Sequence, residues 1–193
     1  MKLWTAEPFN LAGLLLLASM LSVTSAVPAH HRQIAEAEIT NQTRHLLKLT
    51  QELLKDHVIG TDIEHRFKTL PAMANRVADL STLEVKSTLA QLHSDIQLFD
   101  LHFEWLNKAL KNRKHASFPK LGELIQHLKL LKFSLQRQMT KLQVLRPPTP
   151  SPSLPSTDVN EWEVVQSSLE LFQKFRLFCD WALRVFLSLK LRH

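Results

Sequence analysis

RPPTPSPSLPST, residues 146–157, decides how the rest of this chain is arranged. Five prolines in twelve residues fix φ and remove amide donors, so neither helix nor sheet can run through the segment. In extended polyproline form it reaches about 37 Å, at ~3.1 Å per residue. A helix of about 25 residues is ~38 Å long, so this connection can traverse one helix from end to end.

Helical patterns flank it on both sides. Upstream, residues 119–145 carry Leu121, Leu124, Leu128, Leu131, Leu135, Met139 and Leu142 at alternating spacings of three and four, one face of a helix. Pro119 suits its start, where a missing N–H costs nothing. Downstream, residues 158–191 place Val165, Phe172, Phe175, Cys179, Ala182, Phe186 and Leu189 inward, with Asp158 as N-cap and Glu161 three residues on. A further helix over 81–112 carries Val85, Leu89, Leu92, Ile96, Phe99, Phe103, Leu106 and Leu110. The first, over 31–58, is weaker, with Ile39, Leu46, Leu49, Leu53 and Leu54 before a stop at Gly60.

The connections are unequal. About six residues, around Arg113 to Phe118, join the second and third helices, which makes those two antiparallel neighbours. Residues 59–80 and the proline-rich segment are long crossovers. Two long crossovers around one short turn predict an all-α four-helix bundle with up-up-down-down topology. Only three glycines and no tyrosine in 193 residues argue against an all-β chain.

Met1 to Ala26 has Lys2, then a dense apolar run from Leu11 to Val23, then the small residues Thr24, Ser25 and Ala26. That is the layout of a secretory signal peptide, with cleavage expected after Ala26 and Ala29 as a second site. The apolar run is shorter than the ~20 residues a spanning helix needs. Residues 27–193 then form the bundle, secreted and extracellular. The lone Cys179 permits no internal disulfide, so packing alone must hold the fold. Its position on the apolar stripe makes it a buried hydrophobe.

The net charge is +6, and loss of Lys2 and Glu7 with the leader leaves it unchanged. Lys111, Arg113, Lys114 and Lys120 cluster near one junction, with Lys190 and Arg192 near the C-terminus. Such a field can meet heparan sulfate or anionic lipid, although dispersed solvated charge is the plainer reading. Ten histidines form no His-Glu-x-x-His or Cys–His set. Asp62-Ile63-Glu64-His65 and the Glu123/His127 pair each read as isolated surface groups. The three glycines are scattered, so no phosphate loop exists. Nothing points to an enzyme, a cofactor or a bound metal. Asn41-Gln42-Thr43 is the one glycosylation sequon, and Asn41 points away from Leu46 and Leu53.

Large side chains off the core stripe mark candidate contacts. Trp181 lies nine positions after Phe172, a rotation of about 180°, and is expected to point outward beside Leu177, Asp180, Arg184 and Ser188. An exposed Trp beside Arg has the composition of a binding hot spot; the competing reading is that a loop folds over it. Trp162, just past the proline-rich segment, either caps the bundle end or docks into a partner. Leu130 and Phe133 also fall outside the third stripe, near His127.

These residues carry a resemblance. Phe178-Cys179-Asp180-Trp181-Ala182-Leu183-Arg184, the tail from Leu187 to His193 and the isolated Trp162 resemble the interleukin-11 family, within the interleukin-6 group of long-chain four-helix cytokines. So do Thr69-Leu70-Pro71-Ala72-Met73 and the stretch from Leu121-Gly122 to Met139-Thr140-Lys141-Leu142. The likeness covers about residues 31–193 and extends to the lack of disulfides. It implies a free monomer that binds a specific interleukin-11 receptor α chain, recruits the shared glycoprotein-130 signalling chain and activates JAK/STAT pathways. Asp180, Trp181 and Arg184, with Leu177 and residues 70–77, match the α-receptor site. His127 and Leu131 match one glycoprotein-130 contact and Trp162 the other. One departure falls at His127, where the family has an arginine, which makes that contact sensitive to pH. The runner-up is an exchangeable, apolipoprotein-like lipid binder, although its 11- or 22-residue repeats are missing. A heparin-binding growth factor with other receptors is the third reading.

Overall fold

Four helices account for nearly all regular structure in the computed structural model, which describes residues 29–55, 66–71, 80, 83–111, 113 and 118–190. They are α1 (Ala29–Lys55), α2 (Val85–Leu110), α3 (Leu121–Lys141) and α4 (Glu161–Lys190). No strand occurs among the described residues. The leader, the Gly60 stop, residues 72–77 and the tail from Leu191 lie outside them.

Side-chain pairs fix the helix directions. Glu38 near the start of α1 pairs with Arg137 near the end of α3, while Glu52 near the end of α1 pairs with Lys120 at the start of α3. These two helices are therefore antiparallel. Asp100 pairs with Lys132 and Glu104 with Lys129, so α2 and α3 are antiparallel as well. Phe99 packs on Phe178 and Phe103 on Phe172, at ring separations of 5.1 and 6.0 Å. That sets α4 against α2. The result is up-up-down-down, as the loop lengths predict.

The weak pattern of α1 has a chemical reason. Thr43 and Thr50 are fully buried between its leucines, and their hydroxyls donate to the carbonyls of Ile39 and Leu46 at 2.8 and 2.7 Å. Threonine can thus fill a core face when its hydroxyl bonds back one turn. The third stripe is buried from Leu121 to Met139, with Leu142 only partly so, and α2 and α4 contribute Phe99, Phe103, Phe172, Phe175 and Phe178 to the core. Cys179 is fully buried, and burial pushes its thiol well above the usual range.

Two helix ends differ from expectation. α4 is capped by Asn160, not Asp158: the Glu163 amide donates to Asn160 Oδ1 at 2.8 Å, and the Asn160 amide donates to Glu163 Oε2 at 3.1 Å. This reciprocal pair is a capping box. α3 stops at Lys141, four residues early. Gln143 takes φ 53°, and the Val144 amide donates to the Met139 carbonyl at 2.9 Å, which is a Schellman closure.

Both crossovers are tied to the helices. The Trp105 indole donates to the Pro155 carbonyl at 2.7 Å, and Arg113 donates to the carbonyls of Thr157 and Val159. Glu170, almost fully buried, accepts the amides of Arg66 and Phe67 at 2.7 and 3.1 Å. The Phe67 ring meets Trp105 edge-on at 5.4 Å. Trp105 therefore touches both long connections.

Candidate receptor-binding surfaces

The outward reading of Trp181 is corrected by the structure: the side chain is 6% exposed and sits 6.2 Å from the Phe178 ring. The cause is a second apolar stripe on α4. Val164, Leu171, Phe178 and Val185 recur every seven residues and are fully buried, so this helix is covered on two sides. Trp181 lies between Phe178 and Val185 on that flank. Two described points of the first crossover are fastened to α4: Arg66 through Glu170, and Leu80 through Ser188, whose hydroxyl donates to the Leu80 carbonyl at 3.3 Å.

Near Trp181, the side chains of Leu177, Asp180, Arg184 and Leu187 reach solvent. Arg184 Nη2 lies 2.6 Å from Asp180 Oδ2 one turn away, presenting a charged pair between two leucines. Trp181, the neighbour of Asp180 in sequence, is buried. Of the crossover residues assigned to this site, Leu70 is buried.

The second surface is also changed. Leu131 is 0% exposed and belongs to the core of α3, so it cannot touch a partner in this fold. Its place on the apolar stripe already carried that signal. Leu130 and Phe133, beside it, are 52% and 63% exposed. His127 is half-buried at the α1–α3 seam, its ring 4.2 Å from that of His45 and at a steep angle to it. The Glu123/His127 pair is therefore not isolated, because His45 Nε2 lies 3.5 Å from Glu123 Oε1.

The third surface is Trp162, 54% exposed in the first turn of α4. Its backbone is held by the Asn160–Glu163 capping box, and Glu163 pairs with Arg66 of the first crossover at 3.6 Å. Arg66 of the first crossover and Asn160 thus both meet Glu163 in the first turn of α4.

Asn41 is exposed on α1, whereas Thr43 of its sequon is buried. Of the basic cluster, Arg113 and Lys120 are committed within the fold, so less of it is free for sulfated glycans. Among the described residues, no helix is long and apolar enough to cross a membrane.

The model for the family described as Interleukin 11 matches residues 28–193. The chain belongs to the interleukin-11 family. Interleukin-11 of Macaca fascicularis is similar to it, with 32% identity over 154 residues that cover 78% of this chain and 77% of that one. As a member of the interleukin-11 family it is a four-helix cytokine. Sequence reading missed three of this member's structural residues: Trp105, Arg113 and Glu170. Glu170 did leave a signal, as a lone acid one residue before Leu171 on a buried flank.

Proposed function

We propose that this cytokine is a secreted ligand that assembles receptors and catalyses nothing. It binds a specific interleukin-11 receptor α chain through Leu177, Asp180 and Arg184, with Trp181 as their packed support. It then gathers glycoprotein-130 chains through Trp162 and through the α1–α3 face around His127, Leu130 and Phe133, and so activates JAK/STAT signalling. The observation that carries the reading is the exposed Trp162 on a rigidly capped helix start, far from the Asp180–Arg184 pair. The separation from Trp162 to Asp180 is about 27 Å at ~1.5 Å per residue, room for two proteins at once. Glycosylation at Asn41 and weak heparan sulfate contact belong to the same proposal.

The apolipoprotein-like reading fares worse. A lipid binder needs a continuous apolar face to offer, and here the stripes of all four helices bury one another.

Two variants test the proposal together. Arg184→Ala should weaken α-receptor binding by ~10-fold or more, as loss of a hot-spot side chain does. Trp162→Ala should bind α-receptor normally yet lose most signalling, and in excess should inhibit the unaltered cytokine. Surface sites this far apart contribute independently. A cell reporter run beside an α-receptor binding curve reads both, and full signalling by folded Trp162→Ala would remove that contact.

A further inference from the structure

We propose that His45, Glu123 and His127 form a zinc site that clamps α1 to α3. Glu123 and His127 stand four residues apart, one turn of α3, and so project from the same face. His45 comes across the seam from α1. One donor atom from each of the three lies within 4.8 Å of the other two.

Two details favour a metal over a simple ion pair. His45 Nε2 is buried and has no hydrogen-bond partner, although the residue as a whole reaches solvent. Its nearest anionic atom, Glu123 Oε1, is 3.5 Å away, too long for a good hydrogen bond between these groups. That distance is instead near what two ligands of one tetrahedral zinc require, about 3.3 Å apart for bonds of ~2.0–2.1 Å. The steep angle between the imidazoles, 68°, lets their nitrogens converge without stacking. Nearby Lys120 is held by Glu52, which limits its repulsion of a cation.

Two imidazoles and one carboxylate suit zinc well. Three protein ligands leave a fourth position, on the side where Glu123 reaches solvent, for water or for a donor from another molecule. The bound ion would tie α1 to α3 at mid-bundle, between the Glu38–Arg137 and Glu52–Lys120 pairs. The inference is independent of the receptor reading, because it concerns metal binding by the free chain.

The test is titration of the purified chain, free of any polyhistidine tag, with Zn²⁺ against a chromophoric chelator, and with Co²⁺ in the visible range. One Zn²⁺ should bind per chain, and Co²⁺ should give the intense bands of a tetrahedral site. His45→Gln and His127→Arg, each confirmed helical by circular dichroism, should bind at least ~100-fold more weakly, since each loses a direct ligand. Glu123→Gln should weaken binding and alter the cobalt spectrum. Unchanged affinity in the folded His45 and His127 variants would place the metal on other histidines and overturn the proposal. So would a weak six-coordinate cobalt spectrum, or no stoichiometric binding at all.

Discussion

His93 lies fully inside α2, and neither of its ring nitrogens has a hydrogen-bond partner. Burial holds its imidazole below the usual histidine range, with Arg146 and Lys132 acting in the same direction. Burial does the same to His102, against a smaller upward pull from its hydrogen bond to the Leu98 carbonyl. The unfolded chain protonates both near pH ~6.5, while the folded chain resists until lower pH. Stability is therefore intact above that value and falls as acid drives the unfolded state to bind protons first. Glu84 and Glu52 are held below the usual carboxylate range by Ser87 and Lys120, so their contribution is lost only in stronger acid. Between neutrality and about pH 5 the two histidines should dominate. Thermal melts should drop over this window, and His93→Leu should flatten the drop. At neutral pH the same change should raise stability by roughly 1 kcal/mol, since it removes unpaired buried nitrogens. A melting curve as steep in acid for His93→Leu as for the parent would show that this ring does not drive the effect.

At the scale of the element, the end of α3 shows what pattern reading reaches. Leu142 and Val144 extend the apolar spacing past Lys141, so periodicity carries the helix to 145, but the chain leaves it at Gln143 with φ 53°. No glycine announces that turn. A left-handed residue with a Cβ costs on the order of 1 kcal/mol, so Gln143→Gly should raise stability by up to that amount, measured by denaturant midpoint with an unchanged slope. A loss of stability would show the Gln143 side chain contributes more than its backbone strain costs. The stripes of α2 and α3 were legible because one face of each meets the core. α4 is buried on two faces, and a period of 3.6 projected onto one direction sent Trp181 outward when it belonged to the second stripe. Leu131 failed differently: its role came from likeness to a family, whereas its own spacing placed it in the core. The outward positions of Leu130 and Phe133 were readable because both fall off the apolar stripe of α3, whereas the pattern left Trp162 open between a bundle-end cap and an exposed contact.

For the molecule as a whole, topology was readable from three connection lengths, since a short turn forces antiparallel neighbours and a long extended one permits a parallel return. What lengths cannot reveal is where crossovers are fastened. Trp105, Arg113 and Glu170 hold backbone carbonyls and amides of segments remote in sequence, and no periodicity encodes such partners. The sealed Cys179 has a consequence of its own. With no covalent cross-link in the fold and one thiol at its centre, the molecule contains its own stopwatch. A thiol reagent can reach sulfur only when the four helices part, so the labelling rate in native buffer counts openings of the entire bundle. For an ordinary stability of ~5 kcal/mol or more, labelling should run at least roughly 10³-fold slower than for an unfolded cysteine. If Cys179 reacts at nearly the unfolded rate, the core around it is not closed.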